Sequence, residues 1–288
     1  MNRLFIVEGI PGSGKTTFAR RLAKQFLKYN PNVNLYVEGD LHPADMAWCA
    51  LLTNKEYKEI CDNYPWYVQE LEHNKTVWDG YIIVAYTKIQ NLDSKLYNYF
   101  ESKEVYDGRK DAETFCAVHE NRWGNFGQQA TGINIFECAL LQNSVNELLL
   151  FRCSDETALS KYICKLISCV EKLKPVIIYL NVDTKSAMKR AAMERVDQDG
   201  NHVWESRVIE YVTESPYGKE NGFIGVEGMY NYFEKRKQIE LKILEKLAVE
   251  KYCISIDIDN QNEIVGEFIE KIWCSSIKAD QIKRIRGD

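Results

Sequence analysis

No apolar run in this chain approaches the roughly 20 residues that a membrane-spanning helix needs, so no span is expected. An excess of basic charge is also lacking. Lys and Arg number 37 against 42 Asp and Glu, giving a formal net charge of −5. With a pI near 5.6, neither a nucleic-acid coat nor a polybasic membrane binder is indicated. The nine cysteines form no CxxC pair and no Cys/His cluster of zinc spacing, and their number is odd. They read as reduced thiols of a cytoplasmic protein. The amino terminus, MNRLFIVEGIPGSGK, runs straight into structured sequence, so no secretory signal is expected. Internal repeats and low-complexity tracts are missing too. What remains is an ordinary globular mixture, 45% hydrophobic and 27% charged. At 288 residues it predicts a single α/β domain carrying a substantial insertion.

Five apolar runs alternate with helical patterns. Residues 3–8 (RLFIVE) read as a buried strand, and 15–29 as a helix with Phe18, Leu22, Phe26 and Leu27 at helical spacing. Residues 34–38, 132–136, 175–182 and 252–258 supply four further strands, and a last helix is expected over about 263–277. Strands alternating with helices predict a doubly wound, mainly parallel five-stranded sheet. Residues 41–131 are too long for a crossover and read as an inserted, helix-containing cap rich in Trp and Tyr, with an extra strand near 80–89. Residues 197–228 hold five glycines and read as a mobile, lid-like flap.

Between the first strand and the first helix lies Gly9-Ile10-Pro11-Gly12-Ser13-Gly14-Lys15-Thr16, followed by Thr17. It fits GxxxxGK[ST] in full and in the strand–loop–helix context that the motif requires. Glycines let successive backbone N–H groups face a phosphate, and the helix amino terminus adds positive charge. Lys15, expected to face solvent, reaches the β- and γ-phosphates, and the Thr16 hydroxyl can take one position on Mg²⁺.

Carboxylates at the other strand ends complete the pattern. Glu38-Gly39-Asp40 closes the second strand, and either acid could accept a proton from an attacking hydroxyl if that strand neighbours the first. The third strand ends in Glu137, an acid placed to order Mg²⁺ and its waters, with Gln142 and Asn143 a turn later as candidate substrate contacts. Asp183 or Thr184 reads as a helix cap. The helix that follows carries Arg190 and Arg195, with Arg207 beyond. Their planar forks suit a transferring phosphoryl group.

GIPGSGKTT followed by a strand, EGD and LHP resembles the P-loop small-molecule kinases: gluconate, adenylylsulfate and shikimate kinases and the nucleoside and nucleotide kinases. Gluconate kinases carry a similar Asp-Gly-Asp segment, whose second acid faces the substrate. That resemblance points to Asp40, although Glu38 replaces the first Asp and the cap is much longer here. It implies a P-loop NTPase fold and transfer of the γ-phosphate of ATP, with Mg²⁺, to a small-molecule acceptor. From nucleotide kinases it implies a lid whose arginines, Arg190 and Arg195, clamp the phosphoryl group. A homodimer is left open, and neither nucleic acid nor membrane is an expected partner. The competing reading is an ATPase or GTPase that drives a protein partner. The chain has neither the NKxD guanine-reading motif nor the LSGGQ signature of transporters.

Overall fold

The computed structural model describes residues 3–197, 199–255 and 266–274. The first strand, β1 (Leu4–Glu8), is buried along its whole length because strands flank it on both sides. Helix α1 (Lys15–Leu27) buries Phe18, Leu22 and Phe26, and β2 (Val33–Tyr36) follows. The insertion then runs through β3 (Ala50–Thr53), α2 (Asn54–Asn63), α3 (Val68–His73), β4 (Lys75–Trp78), β5 (Tyr81–Val84) and α4 (Ser94–Glu101). Helix α5 (Ala112–Gln129) leads back to β6 (Ile133–Glu137). Helix α6 (Gln142–Val145) continues as a π-helical segment, Asn146–Phe151. The remaining elements are α7 (Glu156–Cys169), β7 (Val176–Asn181), α8 (Thr184–Glu194), α9 (Val203–Glu214), α10 (Pro216–Glu220), α11 (Gly225–Lys246) and β8 (Glu250–Ser255). Residues 266–274 are helical; the rest of the helix expected at 263–277, and 256–258 of the last expected strand, lie outside the described residues.

The main sheet has the order β2-β6-β1-β7-β8, and every pairing in it is parallel. This is the doubly wound sheet that the sequence pattern predicts. The condition attached to Glu38 and Asp40 is not met: β2 does not neighbour β1, because β6 lies between them, pairing Tyr36 with Phe136 on one side and Val7 with Glu137 on the other. The carboxyl ends of β1, β2 and β6 thus share one edge, where an open parallel sheet forms its ligand crevice.

The insertion contains a three-stranded antiparallel sheet of order β3-β5-β4, where sequence reading foresaw one extra strand. Side-chain alternation divides its two faces. Ala50, Leu52, Ile82 and Val84 join Tyr57, Ile60, Leu71, Tyr86, Leu96 and Phe100 in an apolar cluster of the insertion's own. Leu51 and Ile83 point the other way, into the main core. Thr53 and Glu56 form a reciprocal capping box that starts α2 directly at the end of β3. The segment expected as a glycine-rich flap is largely helical: it holds α9 and α10, and buries Val212, Ser215 and Gly218. Among the described residues no helix is long and apolar enough to cross a membrane.

Candidate active site

The loop after β1 is shaped for close backbone approach. Gly12 has φ +75°, and a Cβ there would stand 2.0 Å from the carbonyl oxygen of Ala187, so no side chain fits. Gly14, at φ 90°, is the N-cap of α1 and offers no capping side chain, and no acidic residue occupies the first turn. The amides opening α1 are therefore left to an anion, the arrangement that suits phosphate. Gly9, Pro11 and Ser13 complete the loop, with the Ser13 N–H donating to the Ile10 carbonyl at 3.2 Å. Contrary to expectation, Lys15 is buried. Its Nζ donates to the Ile10 carbonyl at 3.0 Å, which curls the side chain over its own loop. Thr17 is exposed on α1.

Thr16 and Glu137 meet. The Thr16 hydroxyl donates to Glu137 Oε1 at 2.6 Å, joining the first turn of α1 to the last residue of β6. Glu137 Oε2 is buried without a hydrogen-bond partner. A carboxylate oxygen left open beside a threonine hydroxyl fits Mg²⁺ or its waters. Among the described residues no cluster of three or more His, Cys, Asp or Glu side chains could hold a metal alone. A cation here would thus draw its other ligands from phosphate and water.

Behind Glu137 the chain reverses at Cys138, whose φ is +66°, a left-handed value uncommon for a residue with a side chain. The three amides at residues 140–142 are held by Glu8, the last residue of β1. Its Oε1 accepts from Leu140 N at 2.8 Å and Leu141 N at 3.0 Å, and its Oε2 from Gln142 N at 3.1 Å. Burial pushes the Glu8 carboxyl up to about 7, with the charge of Glu240 adding and the three amides opposing. Sequence reading passed over Glu8 as part of a buried strand; an acid inside an otherwise apolar run was the available signal.

The two acids after β2 part company. Asp40 Oδ2 accepts from the Val37 N–H at 2.8 Å and its Oδ1 pairs with Lys88 at 2.8 Å, so both oxygens serve the turn and the insertion. Glu38 turns to the phosphate side. Its Oε1 accepts from Gln142 Nε2 at 3.1 Å. The residue is exposed to solvent, yet protein crowds its carboxylate. That crowding raises its pKa, with the charge of Glu137 adding and Lys15, the nearby Trp48 and Arg195 opposing. Trp48 itself is 41% exposed and adopts φ +59°.

The base of the insertion is fixed by a buried polar network that sequence reading did not assemble, because its members are far apart in the chain. Asp45 accepts from the Tyr106 hydroxyl at 2.5 Å and from Asn143 Nδ2 at 2.8 Å, and lies 3.2 Å from His119 Nε2. Burial opposes ionisation of Asp45, but His119, His42 and Tyr106 outweigh it and hold the carboxyl down to about 2. Asn143, a candidate substrate contact from sequence, is thus committed to Asp45. His42 Nδ1 accepts two backbone N–H groups, Ala44 at 3.0 Å and Asp45 at 2.7 Å. The proton of the neutral ring therefore sits on Nε2. Arg122 donates to the His42 carbonyl at 2.5 Å and lies over Trp78, 5.8 Å from the ring centroid. His42 Nε2, Arg122 Nε and Trp78 Nε1 are buried donors without a hydrogen-bond partner.

Of the arginines expected in a lid, Arg190 and Arg195 belong to α8, the latter as its C-cap, and Arg207 to α9. Arg195 ends α8 with its guanidinium 4.7 Å from the centroid of the Trp204 ring, and its charge reaches Glu38. Arg190 lies half-buried on α8, and the charge of Arg207 acts on Tyr97 of the insertion. Asp183 is the cap of α8, accepting from Ser186 N at 2.8 Å.

A central parallel strand followed by this loop, in this strand order, defines the P-loop NTPase fold. A family model for the viral superfamily 1 RNA helicase core domain matches residues 5–64, well under half of the chain. No protein of curated function matches the sequence. Among solved structures, thymidylate kinase from Ehrlichia chaffeensis is similar with a TM-score of 0.42 at 13% identity, covering 94% of this chain and 97% of that one. Deoxyadenosine kinase from M. mycoides with bound dATP gives 0.38 at 14% identity, covering 93% and 99%. The same enzyme with dCMP and a flexible dCDP gives 0.36 at 15% identity, again covering 93% and 99%.

Proposed function

We propose that the protein is an ATP-dependent kinase that transfers the γ-phosphate of Mg-ATP to the hydroxyl of a small molecule, with Glu38 as the base. One observation carries this reading: Glu38 is a solvent-accessible carboxylate at the end of β2, held by Gln142 Nε2 at 3.1 Å, on the same sheet edge as the Thr16–Glu137 pair. A carboxylate with a raised pKa beside phosphate-binding cations suits removal of a proton from an attacking hydroxyl. Lys15 and the amides opening α1 hold the phosphates, and Thr16 and Glu137 hold Mg²⁺. When bound, the ion neutralises charge on the transferring group. Arg195 stabilises the same group from the α8 side.

The acceptor lies between Glu38 and the insertion. Trp48, 41% exposed, offers a ring face for a flat substrate. The deciding experiment is ADP release in the presence of nucleosides, nucleotides, sugars and aminoglycosides. Stimulation by one hydroxyl-bearing acceptor, lost in Glu38→Gln, supports the assignment. Release that no small molecule stimulates, and that only a protein partner raises, replaces it with an energy-coupling ATPase.

A further inference from the structure

Glu8 is fully buried at the end of the central strand, one residue ahead of the phosphate loop. Its carboxylate is shared among three consecutive amides, and the last of these belongs to Gln142. The side chain of Gln142 in turn donates to Glu38. A continuous path therefore runs from the strand that begins the phosphate loop, through the 140–142 amides, to the carboxylate on the acceptor side.

We propose that Glu8 is a positioning residue that sets the orientation of Glu38 through Gln142, so that one buried carboxylate ties the triphosphate side of the cleft to the acceptor side. The alternative is that Glu8 merely caps a short helix. Two features favour the positioning role. The capped segment follows the left-handed turn at Cys138; its carbonyls at Cys138, Leu141 and Gln142 accept from Asn143, Val145 and Asn146, but the acceptor of its amides at 140–142 is the Glu8 carboxylate. Without Glu8, three buried amides lose their acceptor, and the start of α6 shifts to find others. Gln142 is also the first residue of α6, so a shift there acts directly on the amide that holds Glu38. Lys15, Glu137 and Arg195 face the same carboxyl and are unaltered in the variants below.

This inference rests on Glu38 being the base, and the test separates the two claims. The variants are Glu8→Gln, Gln142→Ala and the double substitution. The first readout is the NMR resonance of the Gln142 side-chain amide, which reports its bond to Glu38 whether or not the protein turns over. It is expected to move in Glu8→Gln to the position it takes in Glu38→Ala. The second is kcat with whichever acceptor stimulates ADP release. Each single variant is expected to lose about tenfold to a hundredfold, the double no more than Glu8→Gln, with ATP affinity within about twofold of wild type. An unmoved Gln142 resonance in folded Glu8→Gln, or losses that multiply in the double variant, overturns the proposal. If Glu8→Gln does not fold, Glu8→Asp keeps the charge, withdraws the oxygens by one methylene, and is read in the same way. Full turnover by Glu38→Gln would remove the base assignment alone, since the Gln142 resonance still decides the coupling.

Discussion

Thr16 and Glu137 share a 2.6 Å hydrogen bond that closes the gap between α1 and β6, leaving the second carboxylate oxygen open. If this pair holds Mg²⁺, Glu137→Gln should raise the Mg²⁺ concentration for half-maximal rate by about tenfold or more, because charge toward the cation is lost. The measurement is initial rate against free Mg²⁺ at saturating ATP. An unchanged Mg²⁺ curve would return Glu137 to a structural role.

Lys15→Ala removes the cation from the phosphates and should abolish transfer. Lys15 also donates to the Ile10 carbonyl, so the variant is expected to lose about 1 kcal/mol of stability while remaining folded. Thermal melting alongside turnover checks both. Near-normal turnover would separate the loop from catalysis.

Glu38 and Asp40 should diverge. Glu38→Gln is expected to lower kcat by about 10²–10⁴, with ATP binding little changed. Asp40→Asn leaves the cleft carboxylate in place and weakens the pair with Lys88, so its effect should appear mainly in stability. Calorimetric ATP titration together with kcat for both variants decides. The reverse ranking would give the base role to Asp40.

Arg195 rests on Trp204 while its charge reaches Glu38. Arg195→Ala should cut kcat by about 10³, and Trp204→Ala by less, through looser placement of the guanidinium. Amide exchange across 197–228, with and without a non-hydrolysable ATP analogue and Mg²⁺, should show protection on binding. Unchanged exchange, together with normal turnover of Arg190→Ala and Arg195→Ala, would leave the cleft without a lid.

His42 supplies a pH prediction. Burial chiefly, with Arg122 and His119 adding and Asp45 and Asp40 opposing, lowers its pKa from 6.5 to about 3. Between those values the unfolded chain binds a proton that the folded chain refuses. The stability contributed is complete above about pH 6.5 and is withdrawn as pH falls toward 3, on the order of 4 to 5 kcal/mol in all. His42→Asn keeps an acceptor for the Ala44 and Asp45 amides and does not titrate. Its melting temperature should fall less than that of wild type between pH 7 and pH 5. Parallel curves would show that His42 is not the acid-sensitive group.

The phosphate loop was readable in the sequence because its chemistry is local, eight consecutive residues between a strand and a helix. The neighbours of β2 were not, since parallel pairing depends on how crossovers are laid and not on any pattern within residues 33–36. The same separation hid the division between Glu38 and Asp40. Both follow an apolar run, and only the fold shows that Lys88 claims one and Gln142 the other. Asp45, Tyr106, His119 and Asn143 meet across up to 98 positions, a distance that periodicity cannot bridge. Strands β3 and β4 are four residues each, too short for alternation to stand out.

The apolar cluster shared by β3, β5, α2 and α4 draws only on residues 50–100. Much of the cohesion of this part is thus written into a contiguous stretch of chain, apart from the strands that carry the phosphate loop. Its outer half can drift, shrink or be recombined at little expense to the central sheet. Changes confined to residues 50–100 would then leave the phosphate loop, Glu38 and Trp48 where they stand.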